Sequence, residues 1–304
     1  MPGAFAHITA ANLATDNNAL SRMNIPNQAK LILSMNQKYI ELGCVSPDYP
    51  YLALGNAAQN KWADLMHYQN TGDVIKEAIK YCKNLEGRAK EKCFAWLCGY
   101  MSHVAADITI HPVVELKVGP YEHNQAEHRQ CEMNQDSFIW SRLNLGEIGL
   151  ADRVELNIGS CTNQKNCLDD DIKKLWQYIL TSTHTEYAQV AEPNFDAWHS
   201  GFQLVVNNAE EGYRLFPWAR HVAADNGLLY PKANEVDSSF IEDLATPNGP
   251  MHYNDVFDLA IKNIKYFISI IANDIFNDEE CTQLCNWNLD TGKDEHGHLT
   301  AWNI

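Results

Sequence analysis

The 304-residue sequence predicts an all-α fold, a single compact multi-helix domain over residues 1–304 with long irregular loops. Apolar residues recur at intervals of three and four through several long segments, the period of a helix with one buried face. Period-2 strands bounded by hairpin turns are scarce. Hydrophobic residues make up 45% of the chain and charged residues 20%, an ordinary globular balance that excludes a disordered chain.

In chain order, Asn27 to Leu42 and Thr71 to Tyr81 read as helices. Between them, Gly43 to Tyr51 is rich in turn formers and sets Asp48 between Pro47 and Pro50. From Cys93 to His111 the residues Phe94, Leu97, Met101, Val104 and Ile108 keep helical spacing. Pro112 is expected to end that helix, because the residue before proline avoids the α region. Val118 to Gln125 is a polar loop. The cluster Asp169, Asp170, Asp171 suits the positive end of a helix dipole and opens a helix through Ile172, Leu175, Trp176 and Ile179. The Pro/Gly-punctuated stretch from Tyr213 to Pro250 resists assignment. A last long helix carries Phe257, Ile261, Ile264, Ile268, Ile271 and Ile275 on one face. Lys262, Lys265 and Asn273 break its apolar character, which makes it a core helix and not a membrane anchor. The polar tail after Cys285 reads as an extended arm anchored by Trp287 and Trp302, and Trp140, Trp198 and Trp218 read as core.

Charge and cysteine content narrow the function classes. Lys and Arg number 23 against 39 Asp and Glu, a net charge of −16 that argues against a stable nucleic-acid partner. No apolar run approaches the roughly 20 residues needed to span a bilayer. Met1 to His7 lacks a basic segment followed by an apolar one, which leaves export without a cleavable signal and a cytoplasmic location both open. The nine cysteines are an odd number, so at least one thiol is free. Cys161 and Cys167 bracket a polar loop and are placed to be bridged, whereas Cys82, Cys93 and Cys98 read as buried thiols. No CxxC pair exists and Cys281 and Cys285 stand alone, so a Cys-type zinc site is not expected. Nothing in the sequence sets an oligomeric state.

Histidines and carboxylates carry the chemistry. His103, Asp107 and His111 stand at i, i+4 and i+8, one stripe on a helix that is also strongly apolar. Buried imidazoles and a carboxylate in a row need partners, and a metal satisfies all three. His128 and Glu132 repeat the i, i+4 spacing, while the neighbouring His123 reads as a loop residue. His67 precedes Tyr68, Asp48 sits in its turn, and His7 lies in an apolar start. Each alone has an ordinary structural explanation. Together they supply five imidazoles and three carboxylates without cysteine, a donor set suited to zinc and too large for one tetrahedral ion. These ligand candidates fall within residues 2–140, with 141–304 a helical continuation and arm. His184, His199, His221 and His252 have no carboxylate at ligand spacing and read as structural; His296 and His298 read as a solvated tail.

The ordered set of His7, Asp48, His67-Tyr68, His103-x3-Asp107, His111 and His128-x3-Glu132 resembles the zinc-dependent phospholipase C family. That family belongs to a superfamily shared with the fungal single-strand-specific zinc nucleases. The resemblance covers the first 140 residues. It implies two to three Zn²⁺ and a phospholipid substrate met at a membrane surface. One ion would take Asp48, His67, His103 and Asp107, and a second His111, His128 and Glu132. A third would take Pro2, His7 and a bridging Asp107. Pro2 stands five positions before His7, as the first mature residue does in the nuclease branch, so the active chain is expected to start at Pro2. Asp48 would orient or deprotonate the zinc-activated water. Tyr49 matches an aromatic that flanks choline, and Asp64 stands where a second aromatic is usual, so both are candidate substrate-binding residues. The His-x3-Asp-x3-His spacing matches the glycosylphosphatidylinositol phospholipase D branch, and the acidic N-terminal segment of the secreted choline-specific members is absent. The activity implied is phospholipase C cleavage of phosphatidylcholine-type lipid to diacylglycerol and a phosphorylated head group. Nuclease or nucleotidase action and phospholipase D-type cleavage are the alternatives.

Overall fold

The helical periodicity resolves, in a computed structural model describing residues 3–53, 56–144, 152–207 and 230–304, into helices linked by irregular segments. In chain order these are α1 (Ala4–Ala14), α2 (Asn17–Arg22), α3 (Asn27–Met35), α4 (Gln37–Val45), α5 (Ala57–Tyr68), α6 (Thr71–Lys83) and α7 (Gly87–Val118). They continue with α8 (Gln125–Trp140), α9 (Asp152–Gly159), α10 (Asp170–Thr183), α11 (Thr185–Val190), α12 (Phe195–Asn207) and α13 (Tyr253–Asn277). A tight 3-10 helix, Ser46–Leu52, follows α4 directly. Strand structure among the described residues is one antiparallel pair in the C-terminal arm, β1 (Trp287–Asn288) with β2 (Lys293–Asp294). The fold is all-α, and no helix among the described residues is long and apolar enough to cross a membrane.

The axis is α7. Every residue from Cys93 to Val114 is buried, as a helix enclosed on all sides requires. Helices α1, α4, α6, α8, α10 and α13 pack around it. The expected stop at Pro112 does not occur, and α7 runs on to Val118. Pro112 removes one N–H from the helix ladder, but the packing of the buried stretch outweighs that local loss. Gly292 of the arm seats against the Pro112 ring and the Ile108 carbonyl, the carbonyl whose usual partner proline lacks.

One other boundary and one cysteine pairing differ from what the sequence leads one to expect. The segment Asn27 to Leu42 is two helices, α3 and α4, because Asn36 leaves the α conformation and its side-chain amide donates to the Ile32 carbonyl at 2.8 Å. Cys161 and Cys167 are not bridged; Cys161 is buried, its thiol directed at the Lys38 carbonyl, and Cys167 is half-exposed. The expected start of α10 holds: Asp169 caps it, accepting from the Asp171 and Ile172 N–H groups. Cys82, Cys93 and Cys98 are buried thiols, and Trp140, Trp198, Trp287 and Trp302 are buried. Trp218 and His221 lie outside the described residues.

Glycines set the closest helix crossing. A Cβ on Gly43 of α4 would strike the Trp96 carbonyl, and one on Gly99 of α7 would strike the Ile40 carbonyl. Their absence lets the two backbones touch, which brings the C-terminal turn of α4 against the middle of α7. Gly99→Ala should therefore destabilise the protein by about 1–3 kcal/mol, the usual cost of overpacking a tight core. Urea unfolding measures this; an unchanged midpoint would show that the crossing tolerates a methyl group.

Candidate metal centre

The centre assembles where α1, α5, α7 and the 3-10 helix Ser46–Leu52 meet. His103, Asp107 and His111 form the expected stripe on α7 and all are buried. Asp107 lies at its middle. Its Oδ2 is 3.0 Å from His103 Nε2, and its Oδ1 is 3.3 Å from His7 Nε2 and 3.8 Å from His111 Nε2. The His7 ring, carried on α1, stacks on His103 with centroids 3.9 Å apart and planes 7° from parallel. On the other side of His103, His67 Nε2 approaches its Nε2 to 3.4 Å, and Asp48 Oδ1 lies 3.4 Å from His67 Nε2.

Backbone carbonyls fix which nitrogen of each ring faces inward. A carbonyl only accepts, so the ring nitrogen bonded to it carries the proton. His67 Nδ1 donates to the Ala63 carbonyl at 2.7 Å, His103 Nδ1 to Cys44 at 2.9 Å, and His111 Nδ1 to Leu289 at 2.7 Å. Cys44 belongs to the last turn of α4, where carbonyls lack helical partners, and the glycine crossing presses it onto α7. In each of the three rings Nε2 is therefore the nitrogen that faces a neighbouring ligand candidate: His67 and His103 each other, and His103 and His111 the Asp107 carboxylate. His128 is reversed: its Nε2 donates to the Gly119 carbonyl at 2.6 Å and its Nδ1 stands 3.9 Å from Glu132 Oε1.

The atoms left over are those a cation would satisfy. Both nitrogens of His7, Asp48 Oδ1, both oxygens of Asp107, His111 Nε2 and His128 Nδ1 are buried without a well-directed hydrogen bond. Buried polar groups are otherwise paired almost everywhere in folded proteins. Among the described residues, two groups of three have the spacing to hold an ion: His7, His103 and Asp107, and Asp48, His67 and His103. The N and O donors of both triads fit zinc.

The electrostatics of the protein side chains alone point the same way. Burial works to raise the Asp107 pKa, yet the surrounding imidazoles of His103, His111 and His7 outweigh it and hold the carboxyl well below its usual range. Burial also opposes charge on His67, but Asp48 prevails and pushes that imidazole up to about 9. Burial lowers His7 and His111, keeping them neutral and able to donate. Glu132 is pushed up to about 7 by burial. Two buried carboxylates held in their charged form, with the His7 and His111 imidazoles kept neutral beside them, favour a bound cation.

The expected ligands thus fall into two sets. His7, Asp48, His67, His103 and Asp107 come together in the two triads, and His111 adjoins Asp107. His128 and Glu132 are buried on α8 and face one another, outside either triad. Pro2 lies outside the described residues. Asp64 is half-exposed, its Oδ1 accepting from the Tyr51 hydroxyl at 3.1 Å.

Tyr49 departs from expectation. It is fully buried, its hydroxyl meets His199 Nδ1 at 2.9 Å, and its ring packs on Trp176 and Phe202 in the core. The cause is the three-residue period of the 3-10 helix, which puts Tyr51, not Tyr49, above Asp48. His199 and His252 have structural partners, His252 capping α13 through the Asn254 N–H. The sequence reading missed Tyr51, and it missed the acceptor carbonyls of Ala63, Cys44, Leu289 and Gly119. Backbone oxygens leave no mark in residue identity.

Zinc should stabilise the folded chain by mass action. At a free concentration about 100-fold above its Kd, one ion contributes about 2.7 kcal/mol, seen as a rise in Tm over chelator-stripped protein. His103→Ala, which removes the residue common to both triads, should lose most of that rise, whereas His252→Ala should keep it. Equal zinc responses in the two variants would separate His103 from the metal.

The family model for zinc-dependent phospholipase C matches residues 6–191. This is more than half of the 304-residue chain and extends past the 140 residues that carry the resemblance in sequence. Comparison with curated proteins and with solved structures returned no match. Membership in a zinc-dependent hydrolase family agrees with the donor set and the orphaned ligand atoms: the chain belongs to the zinc-dependent phospholipase C family.

Proposed function

We propose that the protein is a phospholipase C that hydrolyses a glycerophospholipid of the phosphatidylcholine type to diacylglycerol and a phosphorylated head group. The observation that carries this reading is the pair of buried triads meeting at His103, beside a carboxylate whose two oxygens face different imidazoles. One nitrogen lone pair serves one ion, so His103 would complete one triad at a time, and Asp107, whose two oxygens face different imidazoles, would be available to more than one ion. Two to three Zn²⁺ match the available donors. When bound, zinc supplies the charge that acidifies a water and stabilises the phosphate and the leaving alkoxide.

The protein's own residues do the rest. Asp48 is held beside His67, its Oδ1 3.4 Å from His67 Nε2 without a well-directed hydrogen bond, placed to orient the attacking water and receive its proton. His67, His103 and His111 are locked by carbonyls and do not need to reorganise. Tyr51 with Asp64, and Tyr68 with Asp290, form a hydrogen-bonded rim of tyrosines and carboxylates next to His67. That rim suits a cationic head group while the phosphate faces the metals. The net charge of −16 weighs against a polynucleotide in the same place.

Product analysis on zinc-loaded protein with phosphatidylcholine vesicles tests the proposal. Diacylglycerol and phosphocholine should appear, and Asp48→Asn should slow their release by roughly 10²–10⁴-fold, the range for a positioned acid–base group. Phosphatidic acid and choline would indicate phospholipase D-type cleavage. Turnover of oligonucleotides or nucleotides with none of lipid would replace the reading with a nuclease or nucleotidase.

A further inference from the structure

All the ligand side chains named above come from residues 7 to 132, but the C-terminal arm reaches the same place from the far end of the chain. Its entry is fixed at Trp287, whose N–H donates to Thr71 Oγ1 at 2.6 Å while the Thr71 hydroxyl donates to the Trp287 carbonyl at 2.9 Å. Two residues later the Leu289 N–H donates to the His67 carbonyl at 2.9 Å, and the Leu289 carbonyl accepts from His111 Nδ1 at 2.7 Å. Asp290 comes next. Its Oδ2 accepts from the Tyr68 hydroxyl at 2.8 Å, and its Oδ1 stands 3.8 Å from His111 Nδ1. Gly292 then docks at a φ of +67°, where an added Cβ would lie 2.5 Å from Pro112 Cγ and 2.7 Å from the Ile108 oxygen. Within four residues the arm thus grips the backbone of one candidate ligand, the ring of another, the tyrosine beside the first and the proline after the second.

We propose that this arm is a working part of the metal centre and that Asp290 is its positioning residue. The Leu289 carbonyl holds His111 in the tautomer whose Nε2 faces Asp107. The Asp290 carboxylate, anchored by Tyr68, places negative charge beside the protonated Nδ1 and makes Nε2 a stronger donor. Outer partners of this kind are typically worth about 10–100-fold in metal affinity. The arm lies beyond residues 6–191, so this contribution is one that the family match does not describe. The inference rests on the metal-centre reading and is independent of which phosphoester is cleaved.

The test is zinc affinity of the full-length protein by chelator competition, with the visible spectrum of the cobalt-loaded form and circular dichroism on the same samples. Asp290→Asn keeps the size of the side chain and an acceptor for Tyr68 while removing the charge. It should weaken retention of one ion by roughly 10–100-fold, shift the cobalt spectrum and leave helix content unchanged. Gly292→Ala, which unseats the arm, should weaken the same ion. Wild-type affinity and an unaltered cobalt spectrum in Asp290→Asn would overturn the proposal, even if stability fell, because a purely structural arm changes stability alone. A wild-type protein that takes up no zinc would overturn the metal-centre reading beneath it, a failure distinct from the first.

Discussion

The structure turns on one buried charge. Asp107 sits fully enclosed at the middle of the longest helix, at an unusually expensive place for a carboxylate. Imidazoles from three positions lie against it, and burial alone would drive it neutral. A cation held by these groups would remove the difficulty, and the orphaned ligand atoms around Asp107 are placed to hold one. Without one, both oxygens of Asp107 and both nitrogens of His7 stay buried with no well-directed hydrogen bond.

That arrangement has identifiable causes. The glycine crossing of α4 and α7 lets the Cys44 carbonyl reach His103. The helical turn before His67 offers Ala63, the arm offers Leu289 to His111, and the end of α7 offers Gly119 to His128. Each carbonyl consumes one ring N–H and thereby directs the other nitrogen. Preorganisation of this sort means that binding an ion requires little rearrangement, and ligands held on helices are positioned more precisely than ligands on loops.

Much of this was legible in the sequence. The i, i+4, i+8 stripe reported its own geometry, since helical spacing converts directly to a shared face. His7, Asp48 and His67 were readable as an ordered set, although nothing local in their neighbourhoods distinguished them from core residues. What stayed hidden was long-range or belonged to the backbone. Pro112 obeys its local rule in most settings, and here a fully buried helix overrode it. Tyr51, not Tyr49, shares a face with Asp48 because Ser46–Leu52 winds with three residues per turn, a choice that two prolines do not announce. Asp290 lies 179 residues from the histidine it faces, in a tail whose composition signals only a turn.

The most direct measurement is anomalous diffraction at the zinc absorption edge from crystals of the full-length protein grown with zinc. At least two peaks are predicted, at the two groups of ligand atoms that meet at His103. One would be bounded by His7, His103 and Asp107, the other by Asp48 and His67, with metal–ligand distances of about 2.0–2.2 Å. A well-ordered crystal with no anomalous density within coordination distance of Asp107 or His103 would contradict it and leave the buried charge without its explanation.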